Sequence, residues 1–204
     1  MIQLAPYASD EPMSYVIIGN PAPQFVARTT AGEKSLSNYR GRWLVFFSHP
    51  ADFTHDEFRG LGCELLALSV DSLSSHIAWI RSKKDRFDVA IAFPLIEDPS
   101  MAIARAYGML PRVPRTVRAT FVIDPDGIIR AISWYPMSTG RSVAEILRLV
   151  DALQTSDADA VSTSEGWRSG DPVSDAAPLS IEDAMSHEPT QNSPDWYFRM
   201  RTQD

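Results

Sequence analysis

Cysteine is almost absent from this 204-residue sequence, in which Cys63 stands alone. A single thiol excludes an internal disulfide, a Cys-x-x-Cys redox pair and a cysteine-rich zinc site. Long apolar runs are missing as well, since no stretch approaches the roughly 18 residues that a membrane-spanning helix needs. The sequence therefore does not predict a disulfide-bonded, zinc-stabilised or membrane-embedded structure.

Basic charge is also in short supply, with 19 Lys and Arg against 26 Asp and Glu and a formal net charge of −7. A protein that binds duplex nucleic acid needs a basic face for the phosphates, so nucleic acid is not an expected partner. The first residues, MIQLAPYASDEPMSY, lack the basic and apolar segments of a signal peptide. We therefore expect a cytoplasmic protein that has no membrane partner.

Composition divides the chain into three parts. Residues 1–15 are polar and irregular and are predicted to be an N-terminal extension, whereas residues 16–154 carry the organised apolar pattern of a domain. Residues 155–204 are rich in Ser, Asp, Ala, Thr and Pro and are predicted to form a C-terminal arm. Trp167 and the DWYF segment, Asp195–Phe198, offer apolar anchors through which this arm could dock on its own domain or on a partner subunit.

Two continuous apolar runs, WLVFFS (Trp43–Ser48) and ELLALSV (Glu64–Val70), are typical of strands buried on both faces. Such strands usually belong to a parallel sheet flanked by helices. A further strand is expected within AIAFPLIED, residues 90–98, where Pro94 favours an edge or a bend.

The remaining pattern alternates helices with a hairpin. A helix capped by Asp71-Ser72 is expected to run to about Lys83, and a short helix is expected over residues 99–108. Residues 118–135 predict a β-hairpin that turns at Asp-Gly, and SVAEILRLVDALQ, residues 142–154, has one apolar helical face. This order of elements predicts an α/β fold.

Several segments of the chain resemble peroxiredoxins of the one-cysteine group, and the resemblance covers nearly everything beyond Tyr15. It implies a thioredoxin-like α/β fold with a C-terminal arm. The segments that carry it are FFSHPADFT, LLALSVDSLSSHIAWI, TVRATFVIDPDGIIRA and YPMSTGRSVAEILR in the domain, and EGWRSGDPV and DWYF in the arm.

The resemblance implies reduction of hydroperoxides by a cysteine thiolate, which becomes a sulfenic acid and is then reduced by an external thiol. A cation and a helix N-terminus must lower the pKa of such a thiol, while a hydroxyl and an arginine hold the peroxide. This chemistry implies no metal and no cofactor. Because family members dimerise through the arm, a homodimer or a larger homo-oligomer is expected.

The family motif is Pro-x-x-x-Thr-x-x-Cys, together with an arginine from a distant strand. Pro50 and Thr54 match the first two positions, and Arg118 in TVRATF matches the arginine. His49 stands where the one-cysteine group commonly keeps a histidine beside the pocket. The resemblance thus assigns His49, Pro50, Thr54 and Arg118 to the catalytic site.

The cysteine of this motif is missing. Its position holds Glu57, and a carboxylate cannot attack a peroxide oxygen in place of a thiolate. The residues from His55 onwards resemble the end of the helix that follows the cysteine in the family, so a block is expected to be missing between Thr54 and His55. A crossover between parallel strands also takes about a dozen residues or more, and the segment from His55 to Cys63 is shorter than that.

Three explanations of the missing block remain open. The natural polypeptide contains residues that this sequence lacks, or the gene lacks the block and encodes an inactive relative, or the shortened connection has taken on another role. The function alternatives follow from these explanations. One is a thiol-dependent peroxidase of antioxidant defence, and the other is a catalytically inactive scaffold used for binding or assembly.

Three other features have structural interpretations. Cys63 precedes a buried strand and is expected to be a small buried hydrophobic residue, not a nucleophile. Arg141 in TGRS is a weaker candidate for the peroxide pocket than Thr54 and Arg118, and its alternative role is to cap the following helix or to pair locally. The polar cluster His49, Asp52, His55, Asp56 and Glu57 has no histidine pair at helical spacing, so it does not predict a metal site.

Overall fold

The computed structural model describes residues 16–48, 55–110, 117–191 and 193–202. Within these ranges the main feature is a seven-stranded mixed sheet in the order β2-β1-β5-β4-β3-β6-β7. Its strands are β1 (Val26–Thr29), β2 (Gly32–Ser35), β3 (Trp43–Ser48), β4 (Cys63–Ser69), β5 (Leu95–Glu97), β6 (Arg118–Ile123) and β7 (Ile129–Tyr135).

The centre of the sheet confirms the interpretation of the two apolar runs. Strands β3 and β4 are parallel neighbours, paired from Trp43 opposite Cys63 to Ser48 opposite Leu68. Strand β5 is parallel to β4, whereas β6 is antiparallel to β3. The carboxyl ends of β3 and β4 therefore lie at the same edge of the sheet as the beginning of β6.

Helices cover both faces of this sheet. They are α1 (His55–Gly60), α2 (Leu73–Phe87), α3 (Ala102–Ala106) and α4 (Val143–Asp159), with a 3-10 helix over Leu36–Tyr39 and a further short helix, α5 (Ile181–Met185), near the C-terminus. The serine hydroxyls of Ser72 and Ser142 cap α2 and α4 by accepting hydrogen bonds from the backbone N–H groups of Ser75 and Glu145.

Alternate residues of the central strands enter two separate cores. Phe46 and Leu66 pack with Tyr107 on one face, while Phe47 and Leu65 belong to the core on the other face. All five side chains are at most 1% exposed. Because side chains alternate across a strand, only a continuous apolar sequence can fill both cores, which explains the unbroken runs.

The crossover between β3 and β4 is compatible with the fold despite its length. Its described part begins with α1, which spans only six residues and packs the fully buried Phe58 into the core shared with β4. The expectation that this connection is too short for parallel strands is therefore wrong. The whole connection, residues 49–62, has 14 residues, which meets the dozen or so that a crossover between parallel strands needs.

Of the two alternatives expected for Pro94, an edge or a bend, the edge is wrong, because β5 lies inside the sheet between β1 and β4. Pro94 directly precedes the strand, so its missing N–H removes no hydrogen bond from the ladder. The carbonyl oxygen of Pro94 accepts a hydrogen bond of 3.0 Å from Ala67 of β4. Position at the strand start, and not exposure at an edge, explains how the proline is tolerated.

The hairpin of β6 and β7 is confirmed, with Arg118 opposite Tyr135 and a turn at Asp126-Gly127. Gly127 has φ +71°, a left-handed conformation that glycine adopts without strain. A second hairpin, β1 with β2, was not predicted, since its residues lack the strong apolar alternation that marks a strand.

The C-terminal region forms a small antiparallel sheet of β8 (Val161–Thr163), β9 (Val173–Asp175) and β10 (Met200–Arg201). Trp167, 1% exposed, packs with Val161 and Val173 against Ala152 of α4. Its indole Nε1 donates to the carbonyl oxygen of Asp171 at 3.1 Å. This part of the arm thus docks on its own chain, while Trp196, Tyr197 and Phe198 stay half exposed.

A search of the described helices finds none that combines the length and the apolar character of a bilayer-spanning segment.

Candidate active site

Strand β3 ends at Ser48, a buried residue that is 4% exposed. Its Oγ donates to the carbonyl oxygen of Val117 at 2.8 Å and accepts from the N–H of Ala119 at 2.9 Å. These bonds fasten the carboxyl end of β3 to the beginning of β6. The chain continues from Ser48 into residues 49–54, so the predicted site residues His49, Pro50 and Thr54 lie outside the described residues.

Arg118, the fourth predicted site residue, is the first residue of β6 and lies between the two residues that Ser48 binds. Its Nε donates a hydrogen bond of 3.1 Å to the carbonyl oxygen of Met137, in the segment that follows β7. The structure therefore places Arg118 at the edge of the sheet where β3 ends. This is the edge from which residues 49–54 begin.

Arg141 lies at the same edge, and its contacts differ from the local cap or pair expected from the sequence. Its Nη2 donates to the carbonyl oxygen of Ser48 at 2.7 Å, and its Nη1 donates to that of Ala119 at 3.0 Å. The guanidinium also lies over the ring of Phe47, 5.4 Å from its centroid. The expectation of local pairing is thus wrong, because these partners are distant in sequence.

The two arginines give this edge a positive electrostatic potential. Burial, and to a smaller extent the nearby charge of Arg118, lowers the pKa of Arg141 to about 10. Two neighbouring guanidinium groups repel one another, so an anion between them relieves this repulsion. The arrangement is suited to stabilising negative charge that develops on an oxygen atom.

Cys63 lies far from this edge. It begins β4 opposite Trp43, whereas Ser48 at the other end of β3 is opposite Leu68. At the usual rise per residue, the two ends of β3 are about 17 Å apart. Burial raises the pKa of the Cys63 thiol to about 12, and the charge of Glu64 adds to this effect. A buried, protonated thiol at the wrong end of the strand agrees with the structural role expected for Cys63.

The position that holds cysteine in the family motif lies on α1, where Glu57 is exposed to solvent. Within the part of the chain that the structure describes, no three His, Cys, Asp or Glu side chains are grouped closely enough to hold a metal ion. Arg141 lies near Arg118, although the resemblance did not assign it to the catalytic site. The available signal was its place in the matched segment YPMSTGRSVAEILR.

A central mixed sheet with helices on both faces is the architecture of the thioredoxin-like class. Residues 18–132 match the AhpC/TSA family. A peroxiredoxin of Thermoplasma volcanium is 38% identical over 198 residues, covering 90% of this chain and 98% of that protein. One of Aquifex aeolicus is 45% identical over 174 residues, covering 77% and 78% respectively. The chain belongs to the AhpC/TSA family of peroxiredoxins.

Solved structures agree with this assignment. A mutant of the peroxiredoxin 6 of Arenicola marina superimposes with a TM-score of 0.79 at 29% identity, covering 93% of this chain and 99% of the other. The yeast mitochondrial 1-Cys peroxiredoxin has the same TM-score at 33% identity, covering 93% and 100%. The predicted resemblance to the one-cysteine group and the predicted thioredoxin-like fold are confirmed.

The alignment with the Thermoplasma protein contains gaps on the side of this chain. It runs over 198 positions but draws on only 90% of the 204 residues of this chain. The relative therefore has residues at positions to which this chain contributes none.

Proposed function

We propose that the protein is a thiol-dependent peroxidase of antioxidant defence that reduces hydrogen peroxide and organic hydroperoxides. Its nucleophile would be a cysteine in a block between Thr54 and His55 that the 204-residue sequence lacks. Membership of the peroxiredoxin family supports this role, and the observation that carries it is the pairing of Arg118 with Arg141 at the end of β3. Two neighbouring positive charges at that point would stabilise the negative charge that develops on the departing oxygen.

The proposed reaction needs a thiolate and a place for negative charge. The thiolate attacks one peroxide oxygen, so that an S–O bond forms while the O–O bond breaks. The other oxygen leaves with the electron pair, takes up a proton and becomes water or an alcohol, and the cysteine is oxidised to a sulfenic acid. Arg118 would stabilise the departing oxygen, and the Thr54 hydroxyl would hold the peroxide.

Pro50 and His49 complete the proposed pocket. Pro50 would shield the thiolate and the peroxide from water, and His49 would lie beside them. These two roles, like that of Thr54, come from the family resemblance. No metal or other cofactor is needed, because the thiolate supplies both electrons.

An external thiol would return the enzyme to its reduced state. Cys63 is buried far from the site, so this chain offers no resolving cysteine of its own. A first external thiol would displace the sulfenic oxygen as water and form a mixed disulfide, and a second would release the enzyme thiolate. The yeast mitochondrial relative resolves its thiol through the glutathione and thioredoxin systems, and we propose a reductant of the same chemical kind.

We further propose a cytoplasmic homodimer or larger homo-oligomer, without nucleic acid or membrane partners. Trp196, Tyr197 and Phe198 are 45%, 67% and 50% exposed in the single chain. Three adjacent exposed aromatic residues are unusual on a monomer and typical of an interface. Replacing all three by serine should convert a dimer to a monomer, as measured by light scattering after gel filtration.

The experiment that tests the peroxidase is an intact mass of the natural polypeptide, followed by a thiol count and a peroxide assay. A mass above 22.7 kDa, two thiols per chain and peroxide-dependent oxidation of a thiol reductant would support it. A mass of 22.7 kDa with one thiol and no peroxide consumption would contradict it.

If the mass is 22.7 kDa, with one thiol and no peroxide consumption, the second candidate function applies, which is a catalytically inactive scaffold. The observation that favours the scaffold is the state of Cys63, which is 3% exposed and has a raised pKa. With that thiol as the only one, the 204-residue chain would keep the fold and the positive edge without a nucleophile. Such a chain would bind partners or assemble, and it would not turn over peroxide.

A further inference from the structure

Ser48 binds the backbone on both sides of Arg118. Its Oγ donates to the carbonyl oxygen of Val117, one residue before Arg118, and accepts from the N–H of Ala119, one residue after it. We infer that Ser48 is a positioning residue that fixes Arg118 for the reaction. This inference rests on the proposed function only in treating Arg118 as part of the peroxide site.

The need for this hydroxyl follows from where the strand pairing stops. The ladder between β3 and β6 ends with Phe47 opposite Thr120, so the main chain of β3 no longer holds β6 beyond that pair. In an antiparallel sheet, the polar groups of Val117 and Ala119 point to one side of the strand while those of Arg118 point to the other. One hydroxyl can donate and accept at once, so Ser48 continues the pairing where the backbone cannot.

Strand β7 holds the other side of Arg118. Arg118 is opposite Tyr135 in the β6–β7 hairpin, and its Nε donates to Met137 just beyond that strand. Arg118 is thus held by β7 on one side and by Ser48 on the other. Losing the serine clamp would free the first residue of β6 to move with the hairpin, so the guanidinium would no longer be fixed relative to the end of β3.

Burial makes the clamp hard to replace. Ser48 is 4% exposed, so water cannot readily take the place of its hydroxyl. Arg141 reinforces the same junction, since it donates to the carbonyl oxygens of both Ser48 and Ala119. A serine-to-alanine change leaves a buried N–H and a buried carbonyl without this partner, and the strands must separate locally to hydrate them.

The chain offers a matched control in Thr29. This residue is 3% exposed, its Oγ1 donates to the carbonyl oxygen of Gly32 at 2.7 Å and accepts from the N–H of Ala31 at 3.0 Å. It therefore forms the same kind of clamp in the β1–β2 hairpin, away from Arg118 and Arg141. Thr29→Val removes an equivalent buried hydroxyl and tests whether any loss of this kind disturbs Arg118.

The test is solvent exchange of the Arg118 side-chain Nε–H, measured by NMR on the 204-residue chain, with Arg118→Lys to assign the signal. Ser48→Ala should speed this exchange about tenfold, roughly the effect of one lost hydrogen bond. Ser48→Thr keeps the hydroxyl and should restore slow exchange, and Thr29→Val should leave it unchanged. Should Ser48→Ala fail to fold, Ser48→Cys provides a nearly isosteric replacement with a weaker donor.

Unchanged exchange in Ser48→Ala, or an equal acceleration in Thr29→Val, would overturn the inference. The exchange rate of the Arg118 Nε–H is measured without catalysis. It therefore tests the role of Ser48 even if the protein is not a peroxidase. In a preparation that does reduce hydrogen peroxide, Ser48→Ala should also lower kcat/KM by about 10- to 100-fold, because a misplaced catalytic group loses that much. Thr29→Val should keep the wild-type value, and an equal loss there would indicate general destabilisation.

Discussion

Arg141 donates a hydrogen bond of 2.7 Å from its Nη2 to the carbonyl oxygen of Ser48, which lies 93 residues earlier in the chain. The bond joins the loop before α4 to the carboxyl end of β3. Arg141 is therefore part of the framework of the site as well as one of its two charges.

Replacing Arg141 by alanine should lower the free energy of unfolding by about 2–3 kcal/mol, since hydrogen bonds from a charged donor to Ser48 and Ala119 are lost. Urea denaturation measures this change. Arg105→Ala, at an exposed position on α3, is the control and should stay within about 0.5 kcal/mol of the wild type. Equal effects of the two substitutions would show that Arg141 does not brace the site.

Cys63 should make unfolding depend on alkaline pH. Its folded pKa is about 12 against an ordinary value of 9.0, so above pH 9 the unfolded chain loses the thiol proton while the folded chain keeps it. The stability contributed by the neutral thiol is complete below pH 9 and falls between pH 9 and 12, by up to about 1.4 kcal/mol per pH unit.

The measurement is the free energy of unfolding from pH 8 to 10 for the wild type and for Cys63→Ala. The wild type should lose stability more steeply than the variant, because tyrosine pKa values lie higher and both proteins share those residues. In the same folded chain, an alkylating reagent should label Cys63 only as fast as the protein unfolds. Rapid labelling at neutral pH would show that the thiol is accessible.

Gly127 should tolerate alanine poorly. Its φ is +71°, and an added Cβ would lie 2.7 Å from Cζ of Arg40, whose guanidinium donates to the carbonyl oxygen of Asp126. Gly127→Ala should therefore cost about 1–2 kcal/mol from backbone strain alone and more from the displaced arginine. Thermal unfolding measures the loss.

Gly170→Ala separates these two causes. Gly170 also has a positive φ, +92°, but nothing lies within 4 Å of its added Cβ. Gly170→Ala should therefore lose stability through backbone strain alone, without displacing a neighbouring side chain. If both alanine variants lose equal stability, the contact with Arg40 has no energetic role.

Arg130 links α4 to the β6–β7 hairpin. Its guanidinium forms two bonds with the Asp157 carboxylate, one of them 2.6 Å from Nη2 to Oδ1, and a third contact of 3.3 Å with Asp124. Arg130→Met keeps an apolar side chain but removes the charge, including the guanidinium that lies over the ring of Trp43. It should lower the free energy of unfolding by about 1–3 kcal/mol, measured by urea denaturation.

A double-mutant cycle with Asp157→Asn should show that the two substitutions are not additive, because each of them removes the same interaction. Arg81 and Asp85, an exposed pair on α2, are the control. Their coupling energy should not exceed about 0.5 kcal/mol. Equal coupling in the two pairs would contradict a structural role for Arg130.

Local sequence predicted the elements that have strong local signals. The runs around Phe46 and Leu66 predicted parallel buried strands, Asp126-Gly127 predicted the hairpin, and Ser72 predicted the start of α2. The end of α4 was not predicted. The helix continues to Asp159, five residues past the predicted segment SVAEILRLVDALQ. Helix ends depend on backbone hydrogen bonds that apolar spacing does not report.

Weak local signals account for what was missed. The β1–β2 hairpin alternates little in polarity, and β5 joins the sheet interior through pairing with distant strands. The small sheet of β8, β9 and β10 depends on Trp167 packing against Ala152 of α4. None of these contacts is encoded within a short window of sequence.

The sequence by itself determined the family, the α/β class and the presence of a single thiol, because motif order, apolar periodicity and residue counts are properties of the chain alone. Only the tertiary structure decided that Cys63 lies opposite Trp43 at the start of β3, and that Ser48, Arg118 and Arg141 meet at the other end of that strand. The physical reason is that hydrogen bonds between residues 69 to 93 positions apart exist only once the sheet has formed and excluded water from them.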